Sequence, residues 1–423
     1  MTLKKTEQYK VSAPQHISGT VSLPASKSIG NRALIISALA GDTALPDNLS
    51  DCDDTAVIVK ALADMPETID IGAAGTAMRF MTAYLAVTEG RHLITGTERM
   101  RHRPIGVLVD ALRSLGACID YAGEQGFPPL AIEGRQLKGG RLEIPGNVSS
   151  QYISALLMIG PVMTEGLELR LTGDIISRPY INLTLGMMGD FGADARWTSD
   201  DCITVSPKPY TPRPYSIEND WSAASYWFET VAMSPDANAS LTLTGLYAKS
   251  RQGDAAVKDI FARLGVETEY HSQTSGPSSL TLTKTCRIPE RFDYDFTDCP
   301  DLAQTVVVCC AMMGVHFHFR GLQSLKIKET DRIEALKKEL RKLGFVVSDI
   351  NGRELYWEGE RCEAERQPVI DTYEDHRMAM AFAPCCLLTD SLRINRPMVV
   401  TKSYPRFWEN VFITQPSSDL CCG

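Results

Sequence analysis

The chain has 423 residues and a mass of 46.6 kDa, which is more than one hydrophobic core normally serves, so the sequence predicts two domains. Its net charge of −9 argues against nucleic-acid binding, which needs an excess of Lys and Arg. No stretch approaches the roughly 18 consecutive apolar residues of a membrane-spanning helix, and MTLKKTEQYKVSAPQ lacks the apolar segment of a secretion signal. We expect a cytoplasmic protein, and we expect it to be a monomer.

Twelve cysteines occur as singles or adjacent pairs, without the Cys-x-x-Cys spacing of a zinc site. The pairs are Cys309 with Cys310, Cys385 with Cys386, and Cys421 with Cys422. Most cysteines lie within apolar runs, which is typical of free thiols used as small core residues in a reducing compartment. The cysteine pattern therefore does not predict a metal site, and we expect the protein to use no cofactor.

Two helix types alternate along the chain. The first is apolar on nearly all sides, which predicts a buried helix, and it occurs in SKSIGNRALIISALA, GTAMRFMTAYLAV, NVSSQYISALLMIG, DWSAASYWFETVAM, CPDLAQTVVVCCAMM and EDHRMAMAFAPCCLL. The second is amphipathic, follows a Gly and a polar loop, and ends at a Gly placed as a helix C-cap. Its four clear copies open at Gly96, Gly173, Gly245 and Gly321 and close at Gly116, Gly192, Gly265 and Gly344.

NLSDCDDTAVIVKAL and KSYPRFWENV resemble partial copies of the amphipathic helix, which completes six αβ repeats. We predict an α/β fold with the repeats divided three and three between two domains. Three repeats around a pseudo-threefold axis would point three helix N-termini the same way, and two such faces across a cleft would suit anions.

Several helix starts carry groups that bind anions. Lys27 and Ser28 stand where a helix begins, with Arg32 one turn later, although a capped helix with surface charges explains these residues equally well. IGAAGTAMRF places Gly75 at a second helix start, where it is either a backbone anion site or a turn residue. In RMRHRPIG, Pro104 is predicted at a first helical position; solvated charge is the simpler interpretation of two of the three arginines.

The other helix starts follow the same pattern. NVSSQYISALL offers Ser149, Ser150 and Gln151, which either bind a ligand or cap the helix. SLKIKETDRIEAL is predicted to place Lys328, Glu329 and Arg332 in the first turns of one helix, where the two cations repel unless an anion lies between them. Further candidates follow, namely Asp375, His376, Arg377 and Lys402, with His376 interpreted as a structural residue. Asp301 is either an N-cap or a catalytic base.

Together these motifs resemble the EPSP synthase family (3-phosphoshikimate 1-carboxyvinyltransferase) of enolpyruvyl transferases. The resemblance spans LPASKSIGNRAL, AGTAMRF, RPIGVLVDAL, VSSQYISALL, SRPYINLTL, KETDRI and DHRMAMAF. It implies two inverse α/β domains of βαβαββ units, formed by residues 1–19 with 217–423 and by residues 20–216, with the active site between them. It also implies transfer of an enolpyruvyl group from phosphoenolpyruvate to the 5-hydroxyl of shikimate 3-phosphate, in aromatic amino acid biosynthesis, and a target for glyphosate.

The resemblance also implies residue roles. Shikimate 3-phosphate would be bound by Lys27, Ser28, Arg32, Ser149, Ser150, Gln151, Ser177, Tyr180, Asp301, Ser324 and Lys328. Phosphoenolpyruvate would be bound by Lys27, Gly75, Arg103, Gln151, Arg332, Arg377 and Lys402. Protons would be carried by Asp301, Glu329 and Lys27.

The sequence departs from the family pattern in three places. Ala73 and Ser324 each stand where Asn is usual, and the stretch between Asp54 and Gly72 is short, so we expect one repeat to lack a hairpin. One competing interpretation is a UDP-N-acetylglucosamine enolpyruvyl transferase, but TGTERMRHRPIG lacks the Cys typical of that enzyme. Another is a catalytically silent anion-binding protein, which would have no need for Lys27, Asp301 and Glu329 together.

Overall fold

A computed structural model of the protein describes residues 8–14, 16–271, 278–390, 392–410 and 413–416. The chain forms two compact units. Unit 1 combines Met1–Pro24 with Asn219–Gly423, and unit 2 is Ala25–Glu218. The domain boundaries expected from the sequence, at residues 19/20 and 216/217, stay predictions.

The described strands are short, and most have alternating burial. They are β1 Gln8–Val11, β2 Thr20–Ser22, β3 Thr68–Asp70, β4 Gly90–Thr95, β5 Cys118–Tyr121, β6 Leu130–Gly134, β7 Gly140–Pro145, β8 Leu167–Thr172, β9 Ala195–Trp197, β10 Cys202–Val205, β11 Ser240–Leu246, β12 Val266–Tyr270, β13 Ser278–Lys284, β14 Arg291–Asp295, β15 His316–Arg320, β16 Ser348–Ile350, β17 Glu354–Trp357, β18 Val369–Ile370, β19 Leu392–Asn395 and β20 Ile413–Pro416.

The helices follow the predicted alternation. They are α1 Lys27–Leu39, α2 Asp53–Asp64, α3 Gly75–Val87, α4 Glu98–Arg101, α5 Gly106–Ser114, α6 Ser150–Ile159, α7 Arg178–Asp190, α8 Trp221–Met233, α9 Val257–Ala262, α10 Ala303–Met313, α11 Arg332–Lys342, α12 His376–Phe382 and α13 Phe407–Asn410. The last predicted buried helix is interrupted after Phe382, because Pro384 cannot donate a backbone hydrogen bond, and the chain continues as a 3-10 segment, Ala383–Leu387.

The described residues form five four-stranded sheets, and all five have one plan. In the order β7-β8-β10-β9, the first two strands are parallel and the later pairs are antiparallel. Helix α6 connects the parallel strands and α7 leads to the antiparallel pair, so the unit reads βαβαββ. The other four sheets, β3-β4-β6-β5, β2-β11-β13-β12, β14-β15-β17-β16 and β18-β19-β1-β20, repeat this plan. The predicted repeat is therefore confirmed.

Unit 2 contains one repeat without such a sheet. Helices α1 and α2 pack on each other, but the described residues around them form no four-stranded sheet. The next strand, β3, belongs to the following repeat. This arrangement agrees with the short segment between Asp54 and Gly72, which leaves no residues for a hairpin.

Each unit has its own hydrophobic core around three buried helices, α8, α10 and α12 in unit 1 and α1, α3 and α6 in unit 2. Cys309, Cys310, Cys385 and Cys386 are buried in the core of unit 1, as predicted, and Cys421 and Cys422 lie outside the described residues. Within the described ranges, no helix combines the length and the apolar character needed to cross a lipid bilayer.

Helix ends follow the expected capping chemistry. Ser149, Asp220, Asp331 and Asp375 accept backbone hydrogen bonds as N-caps. The four closing glycines have φ between +84° and +99°, a region that disfavours a side chain. Two predictions were wrong: α5 begins at Gly106 instead of Pro104, and α11 begins at Arg332, so Lys328 and Glu329 precede it.

Candidate functional site

Asp301 is the centre of an ion-pair cluster in unit 1. It lies in the 3-10 turn Pro300–Leu302 before α10. Its Oδ1 is 3.2 Å from Arg332 Nη1 and 3.4 Å from Lys328 Nζ, and its Oδ2 accepts a 2.9 Å bond from Arg377 Nη2. The residue preceding α10 is Leu302, so Asp301 is not the N-cap. The carboxylate is instead surrounded by three cations.

Those cations keep Asp301 ionised. Burial by itself would raise the pKa of the carboxyl group, but Arg377, Lys328 and Arg332 outweigh burial and hold the pKa well below its usual range. Asp301 is therefore ionised at neutral pH.

Arg332 joins three carboxylates although its side chain is only 1% exposed. Its Nε and Nη2 bond to the two oxygens of Asp375 at 2.6 and 3.2 Å, and Nη2 also donates to Glu329 at 2.9 Å. Burial opposes the charge, but Asp375, Glu329 and Asp301 outweigh it and raise the pKa of Arg332. This arginine is permanently charged and fixed in position.

Glu329 connects the cluster to a further cation. Its Oε1 accepts a 2.7 Å bond from Lys402 Nζ, at the end of the 3-10 segment Pro397–Lys402. The anion expected between Lys328 and Arg332 is, in this structure, the side chain of Asp301. Six predicted site residues are thus in contact directly or through one another, namely Asp301, Lys328, Glu329, Arg332, Arg377 and Lys402.

Two residues, Tyr226 and His376, border the cluster, and Ser324 lies in the 3-10 segment Gln323–Ile327 before α11. Tyr226 on α8 is 3.4 Å from Arg377 Nη1 through its hydroxyl, and burial raises its pKa to about 12. His376 is buried beside Asp375. The hydroxyl of Ser324 is buried, and no hydrogen-bond partner for it lies among the described residues. The predicted contact of Ser324 with substrate stays a prediction.

Unit 2 places Gly75 against Arg103. A Cβ atom on Gly75 would lie 2.5 Å from Arg103 Nη1. The Arg103 guanidinium can therefore keep its present position only if residue 75 is a glycine. Arg79 links the backbone at Gly75 to the backbone next to Arg103, because it donates to the carbonyls of Gly75 and Pro104 at 3.1 and 3.0 Å. Arg99 and Arg101 are exposed, as predicted, whereas Arg103 is half-buried.

The starts of α3 and α6 are linked. Gln151 Nε2 donates to the hydroxyl of Thr76 at 2.9 Å. Ser149 is the N-cap of α6, and Ser150 is its first residue. Hydroxyl and amide groups from two helix starts therefore meet in one place, as an anion site requires.

Arg32 is held by neutral groups. Its guanidinium donates to Thr184 at 2.7 Å, to Ser154 at 3.1 Å and to the carbonyl of Ser28 at 2.9 Å. Burial lowers its pKa to about 10. These bonds hold the Arg32 side chain near the start of α1, where it donates to the carbonyl of Ser28 and adds positive potential.

The remaining predicted residues of unit 2 lie at other helix starts. Lys27 is the first residue of α1 and forms a 3.0 Å ion pair with Asp54 on α2. Ser177 precedes α7 with a left-handed φ of 55°, and Tyr180 follows in the first turn. Sequence reasoning missed Asp54 and Thr184 as partners; the acidic start of NLSDCDDTAV was the available signal for the former.

Each unit thus gathers cations and hydroxyl groups at the starts of its helices. In unit 1, the carboxylates of Asp301, Glu329 and Asp375 lie among the cations. Such sites can hold phosphate and carboxylate groups and can move protons beside them.

A family model described as EPSP synthase (3-phosphoshikimate 1-carboxyvinyltransferase) matches residues 11–70 and 63–411. A 3-phosphoshikimate 1-carboxyvinyltransferase of Bacteroides fragilis is 59% identical over 404 residues, covering 96% of this chain and 97% of that protein. The protein of the same name from Shewanella pealeana is 33% identical over 429 residues, covering 95% and 98%.

Solved structures resemble the fold. An EPSP synthase from Acinetobacter baumannii has a TM-score of 0.75 at 20% identity, covering 97% of this chain and 99% of that one. The enolpyruvyl transferase NikO from Streptomyces tendae has a TM-score of 0.69 at 15% identity, covering 96% and 97%. At these identities the likeness concerns the fold alone.

Proposed function

The chain belongs to the EPSP synthase family, and we propose that it transfers the enolpyruvyl group of phosphoenolpyruvate to the 5-hydroxyl of shikimate 3-phosphate and releases phosphate. The observation that carries this proposal is the Asp301 cluster in unit 1. An ionised carboxylate among three cations offers both a proton acceptor and binding groups for anions.

The reaction is an addition followed by an elimination. The 5-hydroxyl loses its proton and its oxygen bonds to C2 of phosphoenolpyruvate, while C3 gains a proton. The tetrahedral intermediate then loses the C3 proton and expels phosphate. The chemistry needs one group to accept the hydroxyl proton, another to protonate and deprotonate carbon, and cations for the substrate anions.

We assign the roles unit by unit. In unit 1, Asp301 and Lys328 contact shikimate 3-phosphate, and Asp301 is ionised and can accept its hydroxyl proton. Glu329 exchanges a proton with carbon, and Lys402, which donates a 2.7 Å hydrogen bond to Glu329, holds this carboxylate in position. The cations for phosphoenolpyruvate are Arg332, Arg377 and Lys402.

In unit 2, the starts of α1, α6 and α7 supply hydroxyl groups and cations for shikimate 3-phosphate. Gly75 and Arg103 bind phosphoenolpyruvate, and Gln151 contacts both substrates. Lys27 also contacts both substrates and is the third proton carrier. We propose that the protein is a monomeric cytoplasmic enzyme that binds no nucleic acid.

Phosphate release tests the function. Purified protein given both substrates should release phosphate, and protein given either substrate alone should not. An anion-binding protein without catalysis would bind the substrates and release none. A UDP-N-acetylglucosamine enolpyruvyl transferase would release phosphate only when that sugar nucleotide replaces shikimate 3-phosphate.

Glu329→Gln tests the proton-carrier assignment. We expect kcat to fall about 100-fold, within the usual contribution of a general acid or base, while the affinity for shikimate 3-phosphate stays near wild type. Glu334→Gln is the matched control, because Glu334 lies on the outer face of α11 and pairs with Lys337. Equal losses in kcat and affinity would show that Glu329 only positions ligand.

A further inference from the structure

The turn before α12 has an unusual backbone. Tyr373 and Glu374 have φ angles of 53° and 58°, and the backbone N of Asp375 donates to the carbonyl of Thr372 at 2.8 Å. Two central residues with positive φ characterise a type I′ turn, in which Gly and Asn are usual. Because neither residue is Gly or Asn, the surrounding structure must impose this conformation.

Glu339 imposes it from α11. This carboxylate is fully buried, and its Oε1 accepts a 2.6 Å bond from the Tyr373 hydroxyl. Its Oε2 accepts bonds from the backbone N of Asp371 at 3.0 Å and from Lys342 Nζ at 2.8 Å. The buried side chain of Glu339 therefore bonds both to Asp371, which precedes the turn, and to Tyr373, the first central residue of the turn.

The position of this turn determines where two cations of the proposed site lie. Asp375 follows it directly, bonds to Arg332 through both oxygens, and caps α12 by accepting from the backbone N of Arg377 at 2.9 Å. The side chain of Arg377 reaches Asp301. A shift of the turn would displace both arginines relative to Asp301.

We propose that Glu339 and Tyr373 are positioning residues that hold the 372–375 turn left-handed and thereby place Arg377 and Arg332 for the phosphoenolpyruvate anion. Neither residue touches substrate in this proposal. Their effect passes through Asp375. The proposal rests on the proposed function for its kinetic readout.

Tyr373→Phe removes one hydroxyl group and leaves the ring. We expect the KM for phosphoenolpyruvate to rise about tenfold, which corresponds to one lost hydrogen bond, with the KM for shikimate 3-phosphate unchanged. The matched control is Tyr356→Phe on β17, whose ring packs on His318, and it should leave both KM values unchanged. A fall confined to kcat together with a lower Tm would mean a merely structural role and would overturn the proposal.

A rescue variant separates turn conformation from other effects. Asn adopts positive φ more readily than Glu, so Glu374→Asn in the Tyr373→Phe background should return the KM for phosphoenolpyruvate towards the wild-type value. The ion pair lost with Glu374, to Arg396, is exposed on both sides and contributes little. Absence of any recovery would contradict the proposed route through the turn.

Amide hydrogen exchange tests positioning without catalysis. In Tyr373→Phe, the amides of Asp375 and Arg377 should exchange faster than in the wild-type protein, because their hydrogen bonds close the turn and cap α12. Unchanged exchange would overturn the positioning inference. If the wild-type protein released no phosphate, the proposed function would fail, but this measurement would still decide the role of Glu339 and Tyr373.

Discussion

Two buried arginines, one in each unit, have pKa values that their surroundings shift in opposite directions. Arg332 in unit 1 is surrounded by Asp301, Glu329 and Asp375, and its pKa is raised. Arg32 in unit 2 donates, among the described residues, to two hydroxyl groups and a carbonyl group, and burial lowers its pKa to about 10. Equal burial therefore gives opposite shifts, because neighbouring charge decides the balance.

The difference shows two ways to prepare a site for anions. In unit 1, carboxylates fix the cations before substrate binds, and two of them, Asp301 and Glu329, are the proton carriers that we propose. In unit 2, neutral dipoles hold Arg32, so its charge is less compensated. At 4 Å, a charge pair interacts by about 4 kcal/mol at an effective dielectric near 20. An energy of this size means that both the paired Arg332 and the less compensated charge of Arg32 can affect the binding of an anion.

Removing the central carboxylate should have the largest effect. We expect Asp301→Asn to lower kcat by about 1000-fold, because the variant loses a proton acceptor and the common partner of three cations. Phosphate release measures this loss. Asp298→Asn, at an exposed carboxylate close by in the chain, should stay near wild type. Similar losses in both variants would refute the special role of Asp301.

The two arginines themselves provide the sharpest comparison. We expect Arg332→Met to lower the free energy of unfolding by about 3–5 kcal/mol, because three carboxylates lose their shared cation. Arg32→Met should change it by no more than about 1 kcal/mol, because no buried charge is left unpaired. Urea unfolding followed by circular dichroism measures both. Equal losses would show that counter-charge does not govern the difference.

Gly75→Ala tests the contact with Arg103 in unit 2. The new methyl group would displace the guanidinium, so we expect the KM for phosphoenolpyruvate to rise about tenfold and inhibition by glyphosate to weaken. Gly106→Ala is the matched control at the start of α5, where a Cβ atom meets only ordinary contacts at 3.5 Å and beyond. An unchanged KM for Gly75→Ala would show that this glycine serves only the turn.

Glu229 extends the comparison to a carboxyl group without a cation. It is fully buried on α8, and within the described residues neither oxygen has a hydrogen-bond partner. Burial raises its pKa, so the neutral form is favoured in the folded state. The folded protein should therefore lose stability as pH rises above the pKa of an unfolded glutamate, about 4.5.

Glu229→Gln should remove this pH dependence. At pH 8 we expect its Tm to exceed that of the wild type by about 2–4 °C, the change that 1 kcal/mol produces in a unit of this size, and the difference should shrink towards pH 4. Glu334→Gln, exposed on α11, should show no such trend. A difference independent of pH would mean that ionisation of Glu229 is not its cause.

Local patterns were enough to predict most of the fold. The apolar runs gave the buried helices, and the repeated Gly positions gave the ends of the amphipathic helices, because both depend on neighbours in the sequence. The errors lay at helix starts. Lys328 and Glu329 were expected inside α11, but Asp331 caps the helix and leaves them before it.

The sequence by itself determined the repeats, their six helix pairs and the residue types at the helix starts, since periodicity and capping act over a few residues. Only the tertiary structure decided which of these residues pair. The sequence allowed Asp301 to be a cap or a base, and the structure shows that it does not cap α10 and instead pairs with Arg332 and Arg377. Likewise, Glu339 holds Tyr373 across the fold. Such pairings depend on how helices pack, because a charge is stabilised by its neighbours in space.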